Sequence, residues 1–169
     1  LLDRPKTGRI RIMMGSAAMR GSQPDDVSKA IIAQLQEDGR RPYASIGKAV
    51  GLSEAAVRQR VQKLIDSGTM QIVAVTDPLQ LGFARQVMMG ITTEGGTQEP
   101  AKMLADIPEI DYVVLTAGSF DIIIEAVVTD DDHLLDLINS KVRSIPGIKT
   151  TETFVYLKLE KQTYNWGIA

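Results

Sequence analysis

In the first third of the chain the apolar residues recur at helical spacing, and further along they alternate. From Asp25, the positions Val27, Ile31, Ile32 and Leu35 fall at steps of four, one and three, one face of a helix ended by Asp38-Gly39. A shorter segment carries Ile46, Ala49 and Val50 on one side and stops at Gly51, whose missing Cβ suits the left-handed residue that closes a helix. Ser53 is the expected N-cap of a third helix over residues 54–67. That helix turns Val57, Val61, Leu64 and Ile65 inward and Arg58, Gln59, Gln62 and Lys63 mostly outward, and Gly68 ends it. The period then drops to two: Met70, Ile72, Ala74 and Thr76 alternate with Gln71, Val73 and Val75, which predicts a short linking strand ended by Asp77-Pro78. Beyond it the pattern predicts strands over 86–92, 112–116, 120–128 and 151–159 and helices over 100–107 and 132–143. Turn chemistry stands where the crossovers need it, at Thr93-Glu94-Gly95-Gly96, Ile107-Pro108 and Ile145-Pro146-Gly147. The order βαββαβ commonly closes as a four-stranded antiparallel sheet with two helices on one face, the ferredoxin-like arrangement, so the expected class is α+β.

Residues 1–24 follow neither period and hold five basic residues against one acidic, which reads as a mobile basic arm or an unstructured leader. The expected organisation is therefore an arm over 1–24, a helix-turn-helix domain over 25–67, a linker strand over 68–80, a ferredoxin-like domain over 81–160 and a tail over 161–169. Composition narrows the chemistry. With 169 residues, 44% of them hydrophobic, the chain has enough apolar content for one ordinary domain or two small ones. The absence of cysteine excludes disulfides, thiolate metal sites and cysteine nucleophiles, and a single histidine excludes a multi-histidine zinc site within one chain. No apolar run approaches the roughly 18 residues of a membrane span, and the first stretch lacks the apolar middle of a signal peptide, so a cytoplasmic protein with no membrane partner is expected. The net charge of −2 conceals an asymmetry: residues 1–75 hold 12 Lys/Arg against 7 Asp/Glu, and residues 76–169 hold 7 against 14. The first part suits a polyanion and the second is repelled by one.

Three helices with Val50-Gly51-Leu52-Ser53 between the second and third have helix-turn-helix spacing, in which the third helix enters the major groove by its N-terminal end. That end is Ser53, Glu54, Ala55, Arg58 and Gln59. Ser and helix amides take phosphate, and Arg and Gln pair bidentately with guanine and adenine edges. Arg40, Arg41 and Lys48, on flanking turns, and Lys63, further along the third helix, suit contacts to the double-stranded DNA backbone. A bundle used only for packing or dimerisation has the same spacing.

Three runs carry a family resemblance: Asp38-Gly39-Arg40; Ile46-Gly47-Lys48-Ala49-Val50-Gly51-Leu52-Ser53; and Val57-Arg58-Gln59-Arg60-Val61-Gln62-Lys63-Leu64 with Gly68-Thr69-Met70. From residue 25 to about 160 the chain resembles the Lrp/AsnC, or feast/famine, transcription regulators. Met70 departs from the family's usual Ile, and Tyr43 stands where a polar residue is common. The resemblance assigns Ser53, Arg58 and Gln59 to DNA contacts. It leaves two roles open for Arg60, a DNA contact or an anchor of the third helix to an acidic neighbour.

The resemblance also matches the segment Thr116, Ala117, Gly118, Ser119, Phe120 and Asp121 to an effector loop. Gly118 lets backbone approach an amino acid's carboxylate, Asp121 suits its ammonium, Thr116 offers a hydroxyl, and Phe120 suits the pocket wall or the core. A simple hairpin, with Asp121 bonded to local backbone, is the other reading. What the resemblance implies is a DNA-binding regulator of amino-acid metabolism, not an enzyme, without a cofactor, with a small amino acid as effector and an alanine dehydrogenase gene as one target. It implies a homodimer through the sheet domain and an octameric ring of four dimers. A small-molecule-sensing protein-interaction module without DNA binding is the alternative, and an enzyme using Asp121 and Glu125 a third. His133, after Asp130-Asp131-Asp132, reads as part of a helix N-terminus, and no metal site is expected.

Overall fold

A computed structural model describes residues 23–163 and divides the chain into two compact units, with the boundary between Val73 and Ala74. The basic arm, except its last two residues, and residues 164–169 of the tail lie outside the described residues.

The first unit holds α1 (Asp26–Glu37), α2 (Tyr43–Val50) and α3 (Glu54–Asp66). Asp25 caps α1 by accepting from the Ser28 amide at 2.8 Å, and Ser53 caps α3 by accepting from the Ala56 amide at 3.2 Å, each satisfying an otherwise orphan donor. Pro42 precedes α2 without a side-chain cap, so Tyr43 opens that helix directly. Ile31, Leu35, Ile46, Val57 and Val61 form the buried cluster, with Val27, Tyr43, Val50, Leu52, Ile65 and Met70 packed around it. Gly51 ends α2 at φ 73° in the left-handed region, as expected. Gly47 has a different reason to be glycine. A Cβ there would sit 2.5 Å from the Leu52 carbonyl oxygen, so the turn between α2 and α3 closes only over a bare Cα.

The linking strand expected over 70–76 is not formed. The segment has no ladder, and Ile72, Val73 and Val75 are exposed. Alternation describes a ribbon with two unlike faces; without a neighbouring strand among the described residues, the backbone groups have no sheet partner. A 3-10 turn, Pro78–Leu81, follows, with Asp77 accepting from the Leu79 amide.

The second unit contains β1 (Arg85–Thr93), α4 (Gln98–Ala105), β2 (Ile110–Leu115), β3 (Ile122–Val128), α5 (Asp131–Asp136) and β4 (Ile148–Val155). The sheet runs β2-β3-β1-β4, and every neighbouring pair is antiparallel. This is the expected ferredoxin-like arrangement. Val87, Met89 and Ile91 of β1 and Ile122, Ile124, Ala126 and Val128 of β3 pack with Leu104, Leu137 and Val142 from the helical layer. Most boundaries shift by one to three residues from expectation, and two differences go further. The single helix expected over 132–143 is α5 followed by a wider π turn, Leu137–Val142, closed where the Arg143 amide donates to Ile138 O at 2.9 Å. The last strand ends at Val155, not 159: Tyr156 still donates to Gln86 O, but β1 begins at Arg85 and offers the next residues no further partner.

The other sheet face carries no helix. Phe120 lies flat against Gly90, where a Cβ would come within 2.5 Å of its ring, and meets Phe154 edge-on at 6.3 Å. With Met88 and Ile123 these residues line an apolar depression of about 360 Å³. Phe154 and Tyr112 remain exposed on this face.

Candidate nucleic-acid interface and effector loop

The apolar stripe of α3 faces the helical core, which leaves Ser53, Glu54, Ala55, Arg58, Gln59 and Lys63 on its exposed side. The residues of α3 and its cap that were assigned to DNA from sequence therefore share the exposed side of that helix. The Ser53 oxygen is occupied by the cap, and its hydroxyl proton remains available to donate. Arg58 donates to Glu54 Oε1 at 2.9 Å, an i,i+4 pair, and its guanidinium lies over the Tyr43 ring, 5.1 Å from the centroid. Arg40 is exposed on the turn after α1, whereas Lys48, expected on a flanking turn, is exposed in the last turn of helix α2. Arg41 is placed differently: its guanidinium donates to Gln34 Oε1 at 2.5 Å and pairs with Glu37 at 3.0 Å, which ties the turn after α1 to that helix.

Arg60 resolves into an anchor. It donates to both Asp25 oxygens, at 2.8 and 3.0 Å, and to Ser28 Oγ at 3.1 Å, so α3 is fastened to the start of α1. Hydrogen bonds from the Ser28 hydroxyl and amide, then from Arg60, hold the Asp25 carboxyl down to about 2.

The loop between β2 and β3 is held at both ends. The Thr116 hydroxyl donates to Phe120 O at 2.5 Å and the Thr116 amide to Asp121 O at 2.9 Å. Asp121 donates its amide to Ile91 O, and its Oδ2 accepts from the Thr93 amide at 2.7 Å and the Thr93 hydroxyl at 3.2 Å. One Asp121 oxygen thus fixes the loop to β1. Ala117, Gly118 and Ser119 are exposed at the tip, and a Cβ on Gly118 would meet nothing within 4 Å. Gly118 is not in the left-handed region, so turn strain does not require glycine there.

On the helix-free face, burial and then the Glu125 carboxylate push the Tyr156 hydroxyl up to about 12, which keeps it a donor to Glu125. Asp121 and Glu125 thus have separate structural partners, Thr93 and Tyr156. On the helical side, Glu109 Oε1 accepts from Lys141 Nζ at 2.5 Å and lies 3.1 Å from His133 Nε2. Burial opposes the ionised form of Glu109, but the bonds from Lys141 and His133 outweigh it and hold the carboxyl at about 2. Among the described residues no group of three or more His, Asp or Glu is placed to hold a metal ion. No helix among them is long and apolar enough to cross a membrane.

Sequence reasoning did not single out Tyr43, Gly47, Asp25 or Glu109 for these roles. Tyr43 had a signal, its departure from the family's polar residue. Asp25 and Arg60 lie 35 residues apart, and spacing cannot pair them.

The chain matches two family models, the AsnC-type helix-turn-helix domain over residues 25–65 and an AsnC-type C-terminal dimeric α+β barrel domain over residues 85–169. It is 35% identical over 144 residues to the HTH-type transcriptional regulator FL11 of Pyrococcus horikoshii, covering 82% of this chain and 93% of the relative. It is 30% identical to the proline dehydrogenase transcriptional activator of Rhizobium radiobacter, covering 82% and 92%. The fold is shared with the leucine response regulatory protein of Mycobacterium tuberculosis, with a TM-score of 0.78 and 23% identity over 86% of this chain and 100% of that one. It is shared also with a Neisseria meningitidis regulator solved as an L-Met complex, with a TM-score of 0.75 and 22% identity over 85% and 96%. A helix-turn-helix unit followed by a ferredoxin-like sheet, matched along both parts by family and relatives, places the chain in the Lrp/AsnC family of transcriptional regulators.

Proposed function

We propose that this protein binds specific duplex DNA through the exposed side of α3 and assembles through the helix-free face of its sheet, with an amino acid as effector at the loop of residues 116–121. The observation that carries the reading is the joint presentation of Ser53, Arg58, Gln59 and Lys63 on one polar face of a helix whose other face is fully engaged in the core. Ser53 and Lys63, with Lys48 and Arg40, serve the phosphates; Arg58 and Gln59 serve base edges. Arg41 contributes through the fold of its turn.

Assembly follows from the sheet. Phe154, Met88 and Ile123 lie on a helix-free face, and a second copy packed on it would bury them, in keeping with the dimeric barrel family that this unit matches. Dimers joined into an octameric ring would multiply the basic helical units along a wrapped duplex. At the loop, the exposed backbone of Ala117, Gly118 and Ser119 suits a carboxylate, and Asp121, already fixed by Thr93, offers an acidic group of set orientation to an ammonium. The L-Met bound to the Neisseria regulator supports the amino-acid class. An effector acts here by favouring one assembly over another, since equal affinity for both shifts nothing. The expected setting is the cytoplasm, and the expected targets are genes of amino-acid metabolism, an alanine dehydrogenase gene among them.

Sedimentation with the chain's own upstream DNA, at two salt concentrations and with a panel of amino acids, tests all three parts. The expected result is a dimer-based oligomer, salt-dependent duplex binding and a change of size with particular amino acids. Arg58→Ala should weaken specific binding by about 1 to 3 kcal/mol and leave the oligomer intact. Assembly without any duplex binding at low salt overturns the DNA reading.

A further inference from the structure

Arg58 is a long side chain on an exposed helix face, and such a chain ordinarily samples many rotamers. Here it is held by two unlike contacts. Glu54, one turn earlier on α3, accepts an N–H at 2.9 Å. Tyr43, from α2, places its ring face under the guanidinium at 5.1 Å. The ring is itself partly buried against the helical core, so it is a fixed platform and not a second mobile side chain. The two contacts differ chemically. A cation over a ring face uses no N–H, so this contact leaves the guanidinium's donors to other acceptors. The Glu54 carboxylate repels an anionic phosphate near Arg58 more strongly than it repels a neutral base acceptor.

We infer that Tyr43 is a specificity-determining residue: with Glu54 it fixes Arg58 so that the guanidinium reads a guanine edge instead of wandering among phosphates. The inference rests on the reading of Arg58 as a base contact given above. Tyr43 acts through Arg58 as a positioning residue and sets the preference at one operator base pair. The chain's departure from the polar residue common at this position thereby acquires a role. A sister protein with a polar residue there and the same Arg58 would hold that arginine less firmly.

The test selects binding sites from a randomised duplex pool with the full-length protein, for the unaltered chain, Arg58→Ala, Tyr43→Phe, Tyr43→Leu and the double variant with Tyr43→Leu and Arg58→Ala. The unaltered chain is expected to enrich a guanine that Arg58→Ala no longer enriches. Tyr43→Phe, which keeps the ring, should retain the preference. Tyr43→Leu, which keeps the packing and loses the ring face, should lose most of it. Its affinity for the preferred site should fall about three- to tenfold, with unchanged affinity for random duplex and an unchanged salt slope. The double variant should match Arg58→Ala alone, because Tyr43 acts through that side chain. If Tyr43→Leu loses helical circular dichroism, fluorinated phenylalanines at position 43 replace it, and the guanine preference should decline with each added fluorine.

The failures are distinguishable. A preference that survives Arg58→Ala removes the base-reading role of Arg58 and this inference with it. A preference lost in Arg58→Ala but kept in Tyr43→Leu, or unaffected by fluorination, overturns the inference alone. Equal losses in Tyr43→Phe and Tyr43→Leu assign the effect to the hydroxyl and also overturn it.

Discussion

The two units of this chain close their hydrophobic surfaces differently. The helical unit buries Ile31, Leu35, Ile46, Val57 and Val61 among its own three helices and fastens α3 to α1 by Arg60 and Asp25. The sheet unit buries a larger set against α4 and the α5 segment, yet leaves Phe120, Phe154, Met88 and Ile123 on a face without helices. The first closes its cluster within three helices and presents charge along α3; the second presents a contiguous apolar face that another surface can cover. That difference suggests a division of labour: the part facing a soluble polyanion is self-contained, and the part that assembles is left incomplete.

Gly47→Ala should break the self-contained unit most severely. The added Cβ would meet the Leu52 carbonyl, and backbone cannot move aside as a side-chain end can. A loss of about 3 kcal/mol or more is expected, seen in chemical denaturation as early melting of helical signal while the sheet unit persists. Phe154→Glu attacks the other side of the comparison. Phe154 is 42% exposed in the single copy, so the sheet unit should keep its fold. Association should weaken on the order of a hundredfold, as for a charge placed in an apolar interface, and sedimentation would show smaller species. An unchanged oligomer would mean that the helix-free face is not where copies meet.

What the sequence disclosed depends on how far apart along the chain the interacting residues lie. Element order, the cap at Ser53, and the end of α2 at Gly51 were legible because each depends on neighbours within a few residues. The exposed side of α3 was legible for the same reason. Residues 70–76 misled, since alternation reports a two-faced ribbon but not whether a second strand lies beside it. Arg60 stayed ambiguous because its partner is Asp25, across the bundle. Glu109, His133 and Lys141 meet only through the fold, and the π turn that carries Lys141 left no mark in the periodicity. At the loop, the sequence pointed to Asp121 but not to Thr93, which fixes it.

Smaller effects sharpen the contrast. Glu109→Gln should cost the sheet unit about 1 to 2 kcal/mol, because Lys141 and His133 lose the carboxylate that both contact. The folded Glu109 carboxyl, at about 2, lies below its ordinary value of 4.5, so its contribution is complete above about pH 4.5 and is lost as pH falls towards 2. Acid titration of unfolding should show that loss in the parent and a flatter profile in Glu109→Gln. In the helical unit, Arg60→Ala should lower the melting temperature by about 2 °C, and less at high salt, because the pair with Asp25 is partly exposed. Lower DNA affinity with no change in melting would return Arg60 to the DNA surface.

Gly118→Ala is expected to have the smallest effect on stability and to be the most informative about the loop. Its Cβ would enter open space, its backbone is not in the left-handed region, and the flanking bonds of Thr116 and Asp121 do not involve its side chain. The melting temperature should therefore move by less than about 1 °C. If an amino acid lies against the loop backbone, the new methyl group occupies the approach, and titration by calorimetry should show weaker binding while assembly without ligand is unchanged. If binding is unchanged as well, the effector does not approach over Gly118. A loss of assembly without ligand would mean instead that another copy, and not the amino acid, lies against this tip. In each case the stability reading is the control, because in the single chain nothing touches that position.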